Sequence, residues 1–153
     1  MSIKSTEELE KILGETHVND IDQYISDNSD SIISEERPFT QYFKSLIKIK
    51  KKKQSEIFLD ADIPERYGYK LLTEEKKTKQ RDIILRLCYA ANFTLDEVQH
   101  ALKLYQMPEL YAKIPRDAIL MIAFNEHPGN IMDLDELLAE HDMEKLKTSG
   151  CLE

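Results

Sequence analysis

Residues 54–71 read QSEIFLDADIPERYGYKL. Two short segments, Gln54 to Ala61 and Pro64 to about Thr73, flank the tripeptide Asp62-Ile63-Pro64. Pro64 suits the start of the second segment, because its missing N–H would be unpaired there anyway. The stretch predicts two helices joined by a tight turn, and the surrounding chain extends the same pattern in both directions.

Upstream, Pro38 fits the first position of a longer helix. Phe39, Tyr42, Phe43, Leu46 and Ile47 then form the i, i+3, i+4, i+7, i+8 stripe of a helix packed on a core. That helix runs into the basic tract Lys48 to Lys53, whose cations complement a helix C-terminus. Nearer the N-terminus, Ser5-x-x-Glu8 is a capping box opening a helix to about Leu13. Asn19 or Asp20 caps a second short helix bearing Ile21, Tyr24 and Ile25. The polar stretch Ser26 to Glu36 is a connector that Ile32 and Ile33 pin down.

Downstream, Thr78 is the expected cap of a helix with Ile84, Leu87, Cys88 and Ala91 on one stripe. Thr94-x-x-Glu97 is a second capping box, opening a helix with Leu95, Val98, Ala101, Leu102 and Tyr105 that Met107-Pro108 stops. Pro115 opens another helix, whose run AILMIAF (118–124) is apolar all round and predicts deep burial. His127-Pro128-Gly129-Asn130 is a turn, and Asp133 caps a last helix carrying Leu134, Leu137 and Leu138. No segment alternates with a period of two, so the expected fold is all-α.

Composition narrows the classes. The 153 residues suit one domain with extensions, and 41% hydrophobic with 33% charged residues is a globular mixture rather than a disordered tail. No apolar run approaches the ~18 residues of a membrane span and no signal peptide opens the chain. With two cysteines, Cys88 and Cys151, a reducing cytoplasm is expected. The net charge of −8 argues against a nucleic-acid partner until it is partitioned. Residues 1–43 carry three basic and ten acidic groups, net −7; residues 44–81 carry twelve and six, net +6; residues 82–153 carry six and thirteen, net −7. A basic centre between acidic flanks points to an anionic partner for the centre, or to flanks that compensate it.

Catalytic and metal chemistry finds no support. His17, His100, His127 and His141 have no ligand spacing. There is no glycine-rich phosphate loop, GxSxG or HExxH. Cys88 sits on an apolar stripe as a small core residue, and Cys151 is read as an exposed bystander thiol. The expectation is a non-enzyme with no cofactor and no metal.

The segment QSEIFLDADIPERYGYKL resembles the helix-turn-helix of the Xre/Cro type, the lambda-repressor-like family of five-helix DNA-binding domains. FTQYFKSLIK matches the family's first helix, Gln54 and Ile57 its second, and Tyr67 and Leu71 its third; Ile63 sits in the turn between. RDIILRLCYAANFTLDEV is similar to helices four and five, and residues 100–124 to an extension found in some members. The implied organisation is an acidic helical arm over 1–36, a helix-turn-helix domain over 37–105 and a C-terminal helical extension over 106–153.

Three positions depart from the family pattern: Phe58 replaces an alanine, Asp62 a glycine and Gly68 a branched aliphatic. Phe for Ala overpacks the contact between the two helices by about 1–3 kcal/mol, and a mid-helix glycine costs about 1 kcal/mol. Together they compensate, if the Phe58 ring lies over Gly68 and conserves volume. Asp62 can serve in place of glycine because aspartate tolerates the left-handed region better than most residues.

By position, the resemblance implies Glu65, Arg66, Tyr69 and Lys70 as residues facing base edges. Gln54, with Lys52 and Lys53 beside it, would hold a phosphate at a helix N-terminus. Lys76, Lys77, Lys79 and Arg81 would follow the DNA backbone. The plain alternative for Arg66 and Lys70 is ordinary surface charge. Two functions follow: a DNA-binding transcriptional regulator that reads a short duplex site through residues 64–73, or a protein-interaction module on a divergent helix-turn-helix scaffold. The second would use Tyr67, Gly68, Tyr69 and Leu72 as an aromatic contact patch. The partners implied are double-stranded DNA, a second copy of the chain for half-sites about 34 Å apart, and a protein met through the acidic flanks or the extension, with no membrane.

Overall fold

In a computed structural model of the chain, residues 3–29, 31 and 37–148 are described, and among them are nine α-helices and no strand. They belong to two compact units, residues 1–36 and 37–153. Among the described residues no helix is long and apolar enough to cross a membrane.

In the first unit, α1 (Thr6–Glu15) begins where expected, the Ser5 hydroxyl accepting from the Glu8 N–H at 3.1 Å. A 3₁₀ turn at Val18–Asp20 leads into α2 (Ile21–Asp27), where Asp20 holds the N-cap position without a side-chain bond. Neither helix buries a residue. Ile32 and Ile33, the expected pins of the connector, and Cys151 lie outside the described residues.

The second unit opens with α3 (Pro38–Ile49), Pro38 in its first turn; of the expected stripe Phe39, Phe43 and Ile47 are buried and Tyr42 and Leu46 half-buried, and Thr40 is buried beside them. Next come α4 (Gln54–Ala61) and α5 (Glu65–Leu72), with Pro64 as N-cap of the latter. Asp62 takes the left-handed conformation at φ 55°, ψ 47°. The Ile63 N–H then folds back to the Phe58 carbonyl at 3.0 Å, closing the α4 C-terminus and turning Ile63 into the core. The Phe58 ring does cover Gly68: a Cβ at position 68 would stand 2.6 Å from Cε1 and 2.8 Å from Cγ of that ring.

Helix α6 (Arg81–Ala90) corrects two expectations. Its N-cap is Gln80, and Thr78 lies before the helix with its hydroxyl accepting from the Gln80 N–H at 3.0 Å. Instead of one apolar stripe, every residue from Asp82 to Ala90 is buried, because α4, α7 (Leu95–Leu104) and α9 (Ile131–Glu140) all pack on this helix. Even Arg86 is 3% exposed; its guanidinium donates to the carbonyls of Ala61 at 2.8 Å and Leu146 at 3.1 Å. Thr94 and Glu97 form the expected capping box on α7.

Helix α8 (Pro115–Glu126) is not buried all round: Leu120, Ala123 and Phe124 are, whereas Ile122 is 58% exposed. It packs against α7 and α9, which leaves its outer side uncovered. The last helix is capped by Asn130, and Asp133 is the N3 member of that capping box rather than the cap itself.

Helices α6–α7 and α8–α9 are two copies of one arrangement. Arg81 and Asp82 open α6 as Arg116 and Asp117 open α8, and each arginine grips the other pair's aspartate. Arg81 donates to both Asp117 oxygens at 2.5 and 3.1 Å, and Arg116 to both Asp82 oxygens at 3.0 Å. The Tyr111 N–H donates to Asp117 and the Lys147 N–H to Asp82, at 2.9 and 3.0 Å. Gln99 on α7 accepts from the Leu110 N–H and Asp135 on α9 from the Leu146 N–H, each 11 residues on, and both leucines are buried. Left-handed Asn92 and His127 end the first helix of each pair, and left-handed Gln106 and Asp142 follow the second. The sequence trace of this repeat is RDIIL at 81–85 and RDAIL at 116–120.

Candidate nucleic-acid interface

The basic tract after α3 does not continue one helix face. Lys51 turns left-handed at φ 57°, and the Lys52 N–H folds back to the Ile47 carbonyl at 2.9 Å. This reversal ends α3 and delivers Lys53 to the N-cap position of α4, which has no side-chain cap. The result is an open recess lined by Lys44 and Lys48 of α3, Lys52, Lys53, Gln54 at the start of α4, and Tyr69 of α5. The first N–H groups of α4 and the lysine ammonium groups set a positive potential there, suited to an anion.

On α5, Glu65 and Arg66 are exposed, Tyr69 is 41% exposed and Lys70 is half-buried. The Tyr69 ring stands edge-on to Phe58, centroids 4.9 Å apart, so the ring that covers Gly68 also orients Tyr69. The Tyr69 hydroxyl donates to Glu65 at 3.1 Å. That bond to the carboxylate, more than burial, holds the phenol above its ordinary value of 10.

The remaining sequence-derived candidates lie apart. The Lys76 N–H donates to the Lys70 carbonyl at 3.1 Å in the loop after α5. Lys77 is 3.4 Å from Glu74 and sits over the Tyr105 ring at 5.2 Å. Lys79 lines a different recess with Gln80, Arg116 and Lys147. Arg81, expected to follow a DNA backbone, is committed to Asp117. Of the proposed aromatic patch only Tyr69 is exposed: Gly68 and Leu72 are buried, and Tyr67 is half-buried against the core. An eight-residue helix turns one side inward, and these three residues fall on it.

Lys44 and Lys48 were not among the residues expected at the site. Their spacing of one helical turn puts them on one side of α3, a signal that the density of lysines in the tract concealed. Lys50 points elsewhere, pairing with Glu97 at 2.8 Å. Burial alone would raise the Glu97 carboxyl, but the Lys50 ammonium and the capping bonds with Thr94 outweigh it and hold the group below 4.5. Among the described residues no cluster of three or more histidine, cysteine or acidic side chains is placed to hold a metal ion. Comparison with protein-family models, with curated proteins and with solved structures finds no match for this chain.

Proposed function

We propose that the chain is a DNA-binding regulator in which residues 37–105 act as a lambda-repressor-like domain of the Xre/Cro type and α5 enters the major groove. The observation that carries this reading is the grouping of Lys52, Lys53, Gln54 and Tyr69, with Lys48, around the open start of α4. A phosphate seated there would meet ammonium groups, an amide and backbone N–H groups together. From that anchor Glu65, Arg66, Tyr69 and Lys70 face the base edges, with Arg66 suited to a guanine. The +6 charge of residues 44–81 supplies the attraction despite the −8 total.

A mobility-shift titration of the full chain, and of residues 37–153, on mixed duplex DNA tests it. Binding should weaken steeply with salt: three neutralised phosphates give a log–log slope of about −2.7. Absence of a shift from either protein at low salt overturns the proposal.

A further inference from the structure

The two helix pairs differ in what covers them. The first pair is roofed by α3 and α4. Tyr42 of α3 meets His100 edge-on with centroids 4.6 Å apart, Phe39 meets Tyr105 at 4.8 Å, Lys50 pairs with Glu97, and Arg86 reaches the end of α4 at the Ala61 carbonyl. The repeat assigns a counterpart to each covered position. Leu87, fully buried, corresponds to Ile122, 58% exposed. Arg86 corresponds to Met121 and Ala101 to Leu137, both half-buried. Glu97, half-buried beneath Lys50, corresponds to exposed Asp133; His100, exposed but in edge contact with Tyr42, corresponds to exposed Glu136. The second pair therefore carries the same platform without its roof, apolar at Met121, Ile122 and Leu137 and acidic at its margin.

We propose that this α8–α9 face binds a basic amphipathic helix of another protein, chemically like the α3 that roofs the first pair. Charge selects the occupant. Glu126, Asp133, Glu136 and Glu140 are all exposed here, so a second copy presenting the same face would bring like charges together, whereas a lysine-bearing helix complements them. Lys50 on Glu97 is the internal precedent for a partner's lysine on Asp133. An apolar stripe at i, i+3, i+4, i+7 seated on Ile122 supplies the buried contact. The inference goes beyond the DNA reading and does not depend on it.

The test uses the full chain and a fluorescein-labelled peptide of residues 37–53, RPFTQYFKSLIKIKKKK, followed by fluorescence anisotropy at moderate salt. Saturable binding is expected. Ile122→Glu and Glu136→Lys should each weaken it at least about tenfold, and a scrambled peptide of the same composition should bind at least about tenfold more weakly. Both side chains are exposed, so both variants should keep the helical circular dichroism of the parent; if Ile122→Glu loses it, Glu136→Lys decides. No saturable binding, equal binding of the scrambled peptide, or indifference to the substitutions overturns the proposal. So does self-association of the chain in sedimentation that Ile122→Glu abolishes, since the face would then belong to a second copy.

Discussion

The Phe58 ring on α4 occupies the volume that a side chain at position 68 of α5 would need, so Gly68 is demanded by its neighbour. Gly68 is helical and buried, a place where glycine is otherwise unfavourable by about 1 kcal/mol. The same ring orients Tyr69 at the recess, so a packing substitution and a site residue share one aromatic contact.

Gly68→Val should therefore destabilise the chain by at least about 1–3 kcal/mol through overpacking. Phe58→Ala alone should cost about 3–5 kcal/mol by opening a cavity. The double variant should be more stable than the sum of the two predicts. Urea unfolding of all four proteins measures the coupling, and strict additivity would contradict the packing account.

Lys52→Ala and Arg66→Ala should separate positioning from base recognition. The first is expected to weaken binding to every duplex alike and to make the salt slope shallower by about 0.9. The second should relax preference at one base pair, costing about 1–3 kcal/mol on the preferred duplex and little on others. Competition titrations against a randomised duplex pool distinguish the two patterns, provided both variants keep the parent's unfolding midpoint.

Asp117 is 1% exposed and takes bonds from Arg81 and from the Tyr111 N–H. Asp117→Ala leaves both donors without their acceptor and should destabilise by about 2–4 kcal/mol. Asp82→Ala should do the same, since it removes the mirror-image set of bonds. Denaturant midpoints check both, and a loss under about 0.5 kcal/mol at Asp117 would mean that the reciprocal clamp does not hold the two helix pairs together.

The Glu97 carboxyl is held below its ordinary value of 4.5 in the folded chain. A depressed folded value contributes stability above the unfolded value and loses it as the pH falls through the folded one. Glu97→Gln keeps a capping-box acceptor but loses the charge facing Lys50. It should cost up to about 1 kcal/mol at neutral pH, because the pair is partly solvated, and the difference from the parent should close as the pH falls below 4.5. A gap that is constant across thermal unfolding from pH 7 to pH 3 would refute the assignment.

Local signals were legible. Ser5 with Glu8, Thr94 with Glu97, and Pro38 and Pro115 mark helix starts because a cap or a missing N–H acts within one turn. Compensation between Phe58 and Gly68, and the left-handed Asp62, were also readable, since each departure makes sense only with a particular backbone and neighbour. At the candidate site, sequence position indicated Lys52, Lys53, Gln54 and Tyr69 but missed Lys44 and Lys48, which approach across the space between α3 and α4.

Burial was less legible, because periodicity gives the side of a helix and not the number of neighbours around it. Asp82 to Ala90 are surrounded and Ile122 is bare, though both helices are rich in apolar residues. Arg81 was expected along a DNA backbone, yet it pairs with Asp117 as Arg116 does with Asp82; that pairing needs two helix starts, far apart in the chain, to meet.

The sequence by itself therefore determined the all-helical character, most helix starts and the basic centre between acidic flanks, all properties carried by residues near one another in the chain. Tertiary structure alone decided which charges turn inward, that Lys44 and Lys48 join the recess at Gln54, and that one helix pair is roofed while its repeat is open. Those outcomes depend on contacts between distant segments, and a pattern of spacing along one helix contains no information about the surface that helix will meet.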